Sequence, residues 1–285
     1  MINVSVIIPI YNQEDNIKKC ALALLNQTYP RDQYELLFID NGSTDKTSEI
    51  LASLDIPITK YTDKKNSYAA RNYGLSIAKG KVIAFIDGDC IACPGWIEEG
   101  LKALNSSGSN LIGGKIIFSY NSPICTSQLL DSIMHLQNFD NVKYRNASVT
   151  ANLFAEKEIF SKIGNFPEGT KSGADIRFTA YAASKGYKIS YSERALIHHE
   201  SRRWNELLNK IIRTSKGKVS STDQINMIGN KFNKRLVFFP YKKSIHLIKS
   251  LALPKYWIFK MVIVFYFLKV ISFYYYCRES INNNE

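Results

Sequence analysis

In the first third of the chain, short apolar runs rich in β-branched side chains alternate with segments whose apolar positions recur every three or four residues. Runs of the first kind read as buried strands, and segments of the second kind as amphipathic helices. Strands are expected over residues 4–8, 35–39, 56–61 and 81–86, and helices over 14–27, 45–54, 68–78 and 94–106. In the first helix Ile17, Cys20, Ala21, Leu24 and Leu25 share one face. Thr44 or Asp45 is placed to cap the second, and Pro94 suits the first position of the fourth. This alternation implies an α/β fold, a Rossmann-like, mostly parallel sheet flanked by helices. Ligands of such sheets bind at the carboxyl ends of the strands.

Downstream the pattern is more mixed. A strand is expected over 111–119, helices over 127–138, 156–163 and 174–184, and extended pieces over 148–154, 188–191 and 195–199. After residue 200 a basic amphipathic helix (204–214) precedes a polar, glycine-containing stretch (216–230) expected to be a loop. An aromatic and aliphatic segment (254–277) follows.

Charge sharpens that boundary. The net charge is +12, yet residues 1–199 hold 21 Lys and Arg against 20 Asp and Glu, whereas residues 200–285 hold 16 against 5. Two regions are therefore expected, an α/β domain over 1–200 and a basic helical extension over 201–285. A basic surface attracts polyanions. In the segment 258–277, eleven Leu, Ile, Val and Phe residues favour insertion by about −3 to −7 kcal/mol, and Lys269 near its middle costs about +2.5 to +3.5. That sum is marginal for spanning. The segment is expected to lie on an anionic membrane surface, with Tyr274, Tyr275 and Tyr276 at headgroup level; a helix buried in the fold is the alternative. Five cysteines at irregular spacing fit a reducing compartment, and Cys90-x-x-Cys93 lacks the second ligand pair of a zinc site. No basic leader precedes the first apolar run, so a cytoplasmic protein at the inner face of the cell membrane is expected.

Three polar clusters fall at expected carboxyl ends of strands: Tyr11-Asn12, Asp40-Asn41 and Asp87-Gly88-Asp89. Two carboxylates one residue apart can share a hard cation, which prefers oxygen ligands, and Gly88 lets a ligand approach the backbone. Taken alone, such a pair is equally an acidic turn. It stands, however, in a series: Val6-Ile7-Ile8-Pro9-Ile10-Tyr11-Asn12, then Asp40-Asn41-Gly42-Ser43-Thr44-Asp45, then Ala70-Arg71-Asn72-Tyr73-Gly74, with Trp96 after the acidic motif. In order and spacing this series resembles the family 2 glycosyltransferases, inverting nucleotide-sugar-dependent enzymes of the GT-A fold. The resemblance covers residues 3–200 and continues through Thr150-Ala151-Asn152, Gly173-Ala174-Asp175 and Ala195-Leu196-Ile197-His198-His199.

The resemblance implies roles. Asp89 and His199 would hold a divalent metal, Mn²⁺ or Mg²⁺, which stabilises a departing diphosphate. Adjacent strand residues face opposite sides, so only one of His198 and His199 enters the site. Pro9, Tyr11, Glu14, Asp40 and Asp87 would frame the nucleotide of a nucleotide-diphosphate sugar, most simply a UDP-sugar. Arg71 is a fixed cation at the same edge, available to phosphate or to an ion pair with Asp40 or Asp87. Asp175 would be the general base that deprotonates an acceptor hydroxyl of a glycan or lipid-linked glycan; by position alone it is equally a helix cap. Asn152 and Trp96 would lie on the acceptor side. Ala174, Arg177 and Tyr181 depart from the family pattern, which leaves the base in place and alters acceptor-side hydrogen bonding. Two other readings are a non-catalytic binding subunit with this fold and a basic nucleic-acid-binding protein. The first is opposed by the intact acidic and histidine positions. The second is opposed by the absence of a nucleic-acid module, so no nucleic-acid partner is expected. No G-x-G-x-x-G follows the first strand, which excludes a dinucleotide-binding dehydrogenase.

Overall fold

A computed structural model describes residues 1–170, 172–226, 248–249 and 253–282. The chain divides into two compact units. The first comprises residues 1–119, 136–168 and 174–200; the second comprises 120–135, 169–173 and 201–285. The second therefore begins its last segment where the charge changes, but also takes in two short upstream pieces that composition does not mark.

The first unit carries one mixed sheet of eight strands: β1 (Val4–Ile10), β2 (Tyr34–Asp40), β3 (Ile58–Lys60), β4 (Val82–Ile86), β5 (Cys90–Ala92), β6 (Leu111–Ser119), β7 (Asn152–Glu156) and β8 (Ile189–Glu200). Their spatial order is β3-β2-β1-β4-β7-β6-β8-β5. The pairs β2–β3, β1–β2, β1–β4 and β6–β8 are parallel; β4–β7, β6–β7 and β5–β8 are antiparallel. Central β1 is buried on both faces, as its unbroken apolar run requires. Val4, Val6, Ile8 and Ile10 belong to one core with α1 (Ile17–Leu25) and α4 (Trp96–Ser107), while Ile7 belongs to another with α3 (Ser67–Ile77) and α8 (Ala174–Ser184). α3 lies so close to β1 that a Cβ on Gly74 would stand 2.7 Å from Ile7 Cγ2. The short helices α2 (Thr47–Ala52), α6 (Asn138–Arg145) and α7 (Lys157–Ile163) complete this unit.

Several expectations are corrected. The extended pieces at 188–191 and 195–199 are one strand, β8. Its Ser192 and Leu196 pair with the consecutive residues Gly114 and Lys115, so the residues between them bulge out. β5 was not foreseen, because three residues directly after a polar motif carry no period. α6 follows a helix that ends at Met134, earlier than expected. Pro94 precedes α4 by two residues, and α2 opens with Thr47 donating its N–H and hydroxyl to Asp45 Oδ1.

The second unit is helical. α5 (Thr126–Met134), α9 (Trp204–Asn226) and α10 (Lys255–Asn282) share a core of Leu129, Leu130, Ile133, Leu207, Ile211, Met261, Phe265 and Leu268. α9 runs through much of the stretch expected to be a loop, so that expectation is overturned as far as Asn226; residues 227–230 lie outside the described residues. Fully buried Asp131 is satisfied within this unit by His135 Nδ1 at 2.7 Å and by the Arg202 backbone N–H at 3.0 Å.

Candidate active site

The strand ends are joined by their registers. β1 and β2 pair along their whole length, ending at Ile10 beside Asp40, so the loops that follow run side by side. Asn12 and Glu14 lace them together. The Asn12 N–H donates to Ser43 Oγ at 3.0 Å, and its Oδ1 accepts from Thr44 N at 2.8 Å. Glu14 Oε2 accepts from Lys46 N at 3.1 Å, and Glu14 N donates to Asp45 Oδ2 at 3.0 Å. Tyr11 is 51% exposed above this pair of loops, and Pro9 is half-buried. Asp40 is almost fully buried: Oδ1 accepts from the Ser43 N–H and hydroxyl at 2.9 and 2.7 Å, and Oδ2 from Ser48 Oγ at 3.2 Å. Of the roughly four lone-pair sites on a carboxylate, one is left.

β4 delivers Asp87-Gly88-Asp89. Asp87 forms an ion pair with Arg71, whose side chain is only 6% exposed. Of the two carboxylates sequence offered to Arg71, structure chooses Asp87. Arg71 Nη1 also donates to Ser67 O at 3.2 Å, so the guanidinium is held from both sides. Next to it, β5 pairs with β8 in the register Cys90↔His199, which brings His199 Nε2 to 3.3 Å from Asp89 Oδ2. His199 is buried and His198 lies on the other face of the strand, half-buried.

Asp89, Cys90 and His199 have ligand atoms within 4.8 Å of one another. An ion about 2.1 Å from an oxygen and a nitrogen would hold those two atoms close to the spacing seen between Asp89 and His199. The donor set therefore fits a divalent cation, with Cys90, set aside in the sequence because Cys90-x-x-Cys93 lacks a second ligand pair, as a third group. Burial first, then the charges of Asp89 and Asp87, push the thiol of nearby Cys20 well above its ordinary value, so it stays protonated.

Asp175, in the first turn of α8, is buried and held from three directions. Oδ1 accepts from Ile176 N at 2.9 Å and from the Tyr68 hydroxyl at 3.2 Å; Oδ2 accepts from Thr150 N at 3.1 Å and Thr150 Oγ1 at 3.4 Å. It thus satisfies one first-turn N–H of α8 and also ties α8 to α3 and to the loop ahead of β7. Arg177, two residues on, has its guanidinium drawn below its ordinary value by burial, against Tyr68 and Asp175, which favour its charge. Tyr68 and Thr150 were not singled out as partners of Asp175. The only sequence signal for Tyr68 was its place three residues before Arg71, one helical turn away.

Trp96 and Asn152 are corrected. Both are fully buried, and Trp96 Nε1 donates to Asn152 Oδ1 at 2.9 Å. The indole packs on Phe154, and Asn152 Nδ2 donates to Lys115 O and Ala195 O, each at 2.8 Å. Neither has a surface an acceptor could touch. Asn152 instead pairs with Ile86, the last residue of β4, directly ahead of Asp87. An open depression of 850 Å³, lined by Lys79, Lys81, Lys157 and Phe160 among others, lies at the amino end of β4, away from these carboxylates.

Comparison with known proteins identifies the family and the fold. The model of "Glycosyl transferase family 2" matches residues 5–154. Glycosyltransferase AglE of Haloferax volcanii is 36% identical over 221 residues, covering 76% of this chain and 73% of that protein. A poly(ribitol-phosphate) beta-glucosyltransferase of Bacillus spizizenii is 37% identical over 92 residues, 30% of this chain and 14% of that one. Among solved structures, the mannosyltransferase PcManGT from Pyrobaculum calidifontis, in complex with GDP-Man and Mn²⁺, superposes with a TM-score of 0.69 at 16% identity, over 99% of this chain and 88% of that one. S. aureus TarS 1–349 with UDP-GlcNAc gives 0.57 at 17% identity, over 99% and 92%. With a GT-A-type sheet, the acidic motif at its strand end and these relatives, the chain belongs to glycosyl transferase family 2 and is a glycosyltransferase.

Proposed function

We propose that this chain transfers a sugar from a nucleoside-diphosphate sugar, a UDP-sugar in the first instance, to a hydroxyl of a glycan or lipid-linked glycan, with inversion. The observation that supports this most is the meeting of Asp89 with His199 beside the Arg71–Asp87 pair, at the strand ends that also carry Asp40. Tyr11, Pro9 and Glu14 frame the nucleotide, and the remaining lone pair of Asp40 accepts a base N–H. Asp87 and Arg71 orient the ribose and diphosphate. Asp89 and His199, with Cys90 beside them, would hold a divalent cation, which when bound would supply charge stabilisation for the departing diphosphate. Asp175 takes the proton of the acceptor hydroxyl. The new bond to the anomeric carbon forms as its bond to the diphosphate breaks, the electron pair leaves with the diphosphate, and the configuration inverts. A panel of UDP- and GDP-sugars, scored by release of nucleoside diphosphate, tests the reading. Turnover with a UDP-sugar is expected; turnover with GDP-sugars alone reassigns the Asp40 pocket, and release with none of them removes the activity.

The same reading places the enzyme on an anionic membrane. Among the described residues, residues 255–281 form one helix long and apolar enough to cross a bilayer, with only 17% of its most apolar window buried. Met261, Phe265 and Leu268 are buried on one face, while Tyr256, Phe259, Ile263, Phe267, Val270 and Tyr274 are exposed at helical spacing. One face packed in protein and an opposite apolar face suit a helix lying in the interface. Deleting this helix would strip the core of the second unit, so substitution is the cleaner test. Changing Tyr256, Phe259 and Phe267 together to Glu is expected to lower binding to phosphatidylglycerol vesicles by at least about ten-fold. Unchanged flotation with those vesicles rules out this seating.

A further inference from the structure

We propose that Tyr68 is a positioning residue for the transfer step, holding the Asp175 carboxylate in place and tying it to the Arg71–Asp87 pair; this rests on the assignment of Asp175 as general base. The residue is rigidly placed. Its N–H donates to the Asn66 side chain at 2.7 Å at the start of α3, and Asn66 Nδ2 in turn donates to Glu168 O at 2.7 Å. Its ring is 7% exposed and packs against Phe166 with centroids 6.0 Å apart. The Arg71 guanidinium lies over that ring, 5.4 Å from its centroid. One helical turn therefore carries both the cation that grips Asp87 and the hydroxyl that grips Asp175.

A carboxylate offers about four lone-pair sites, and all four on Asp175 are taken. An incoming acceptor hydroxyl must displace one donor. The N–H groups of Ile176 and Thr150 belong to the backbone and stay. Of the two hydroxyls, Thr150 Oγ1 makes the longer bond, at 3.4 Å, and its hydrogen can swing about the Cβ–Oγ bond away from the carboxylate. The Tyr68 hydroxyl is carried by a ring clamped between Phe166 and Arg71. Thr150 Oγ1 therefore yields, Oδ2 takes the proton, and Tyr68 keeps Oδ1 fixed so that Oδ2 stays aimed at the acceptor. The cation over its ring also draws electron density from the phenol and strengthens the bond it donates.

Tyr68→Phe keeps the ring and its packing and deletes only the donor. Turnover (kcat) is expected to fall by at least about ten-fold, with the donor KM unchanged within about two-fold, which also reports a folded donor side. The double variant Tyr68→Phe/Asp175→Asn is expected to be no slower than Asp175→Asn alone. Wild-type kcat in Tyr68→Phe beside an impaired Asp175→Asn overturns the role of Tyr68 alone. So do losses that multiply in the double variant, or a Tyr68→Phe effect confined to the donor KM. Wild-type turnover in Asp175→Asn overturns the base assignment and this role with it.

Discussion

Replacing Asp175 with asparagine is expected to cut kcat by about 10² to 10⁴-fold while leaving donor affinity nearly intact. Asparagine has the same shape, and its single amide oxygen can accept either from Ile176 N, at the Oδ1 position, or from Thr150 N, at the Oδ2 position, while its NH2 group takes the other place. It cannot take a proton. A loss of turnover larger than any loss of thermal stability isolates the base function from the structural one, which matters because Asp175 also satisfies a first-turn N–H of α8. If capping were its whole contribution, the variant would melt earlier and keep its turnover. Thermal melting and kcat measured on the same preparation separate the two. The anomeric configuration of the product, read by NMR, completes the test. Among the described residues, Asp175 is the carboxylate held at Thr150 for proton transfer, so single displacement predicts a β-linked product from an α-linked donor. Retention would overturn inversion whatever the variant did.

The second large effect concerns the Asp89–His199 pair. Stripping divalent ions with excess chelator is expected to abolish transfer, and Mn²⁺ or Mg²⁺ to restore it. Asp89→Ala is expected to lower kcat by about 10³-fold or more, since several kcal/mol of charge stabilisation are at stake and each 1.36 kcal/mol is a factor of ten. It should also weaken donor binding, because charge on the diphosphate is no longer balanced in the ground state either. His199→Ala is expected to act in the same direction and to lower the apparent affinity for Mn²⁺ measured directly by titration calorimetry. That binding readout does not depend on turnover. Full activity in excess chelator, or unchanged Mn²⁺ binding in both variants, would remove the cation from the reaction.

The positions of these residues were legible in sequence to different depths. Strands β1, β2 and β4 were readable because β-branched, unbroken apolar runs are a local signal. So was the placement of Asp40, Asp87 and Asp89 at their carboxyl ends. The short strand β5 carries no period of its own, and it forms because β8 offers an edge for Cys90–Ala92 to pair with. α9 continues beyond the helix expected from composition, through the mostly polar residues 216–226. Polar residues are compatible with a helix interior, so polarity alone does not mark a helix end.

By itself, the sequence determined the alternation of elements, the acidic strand end, the single histidine of the His198-His199 pair that one strand face can present, and the basic, aromatic C-terminal region. All of these follow from residue type and a period of two or about 3.6. Only the tertiary structure decided which partners those residues take. Arg71 pairs with Asp87 because Gly74 lets α3 lie against β1. His199 meets Asp89 because β5 and β8 share a register across more than a hundred residues of chain. Tyr68 reaches Asp175 because two helix starts meet on one side of the sheet. Trp96 and Asn152, polar-capable residues that sequence assigned to the acceptor, turn inward to each other instead, since a buried indole N–H and a buried amide each require a partner. Period and composition report what a residue can do; strand register and helix approach, which are set by packing far along the chain, select what it does.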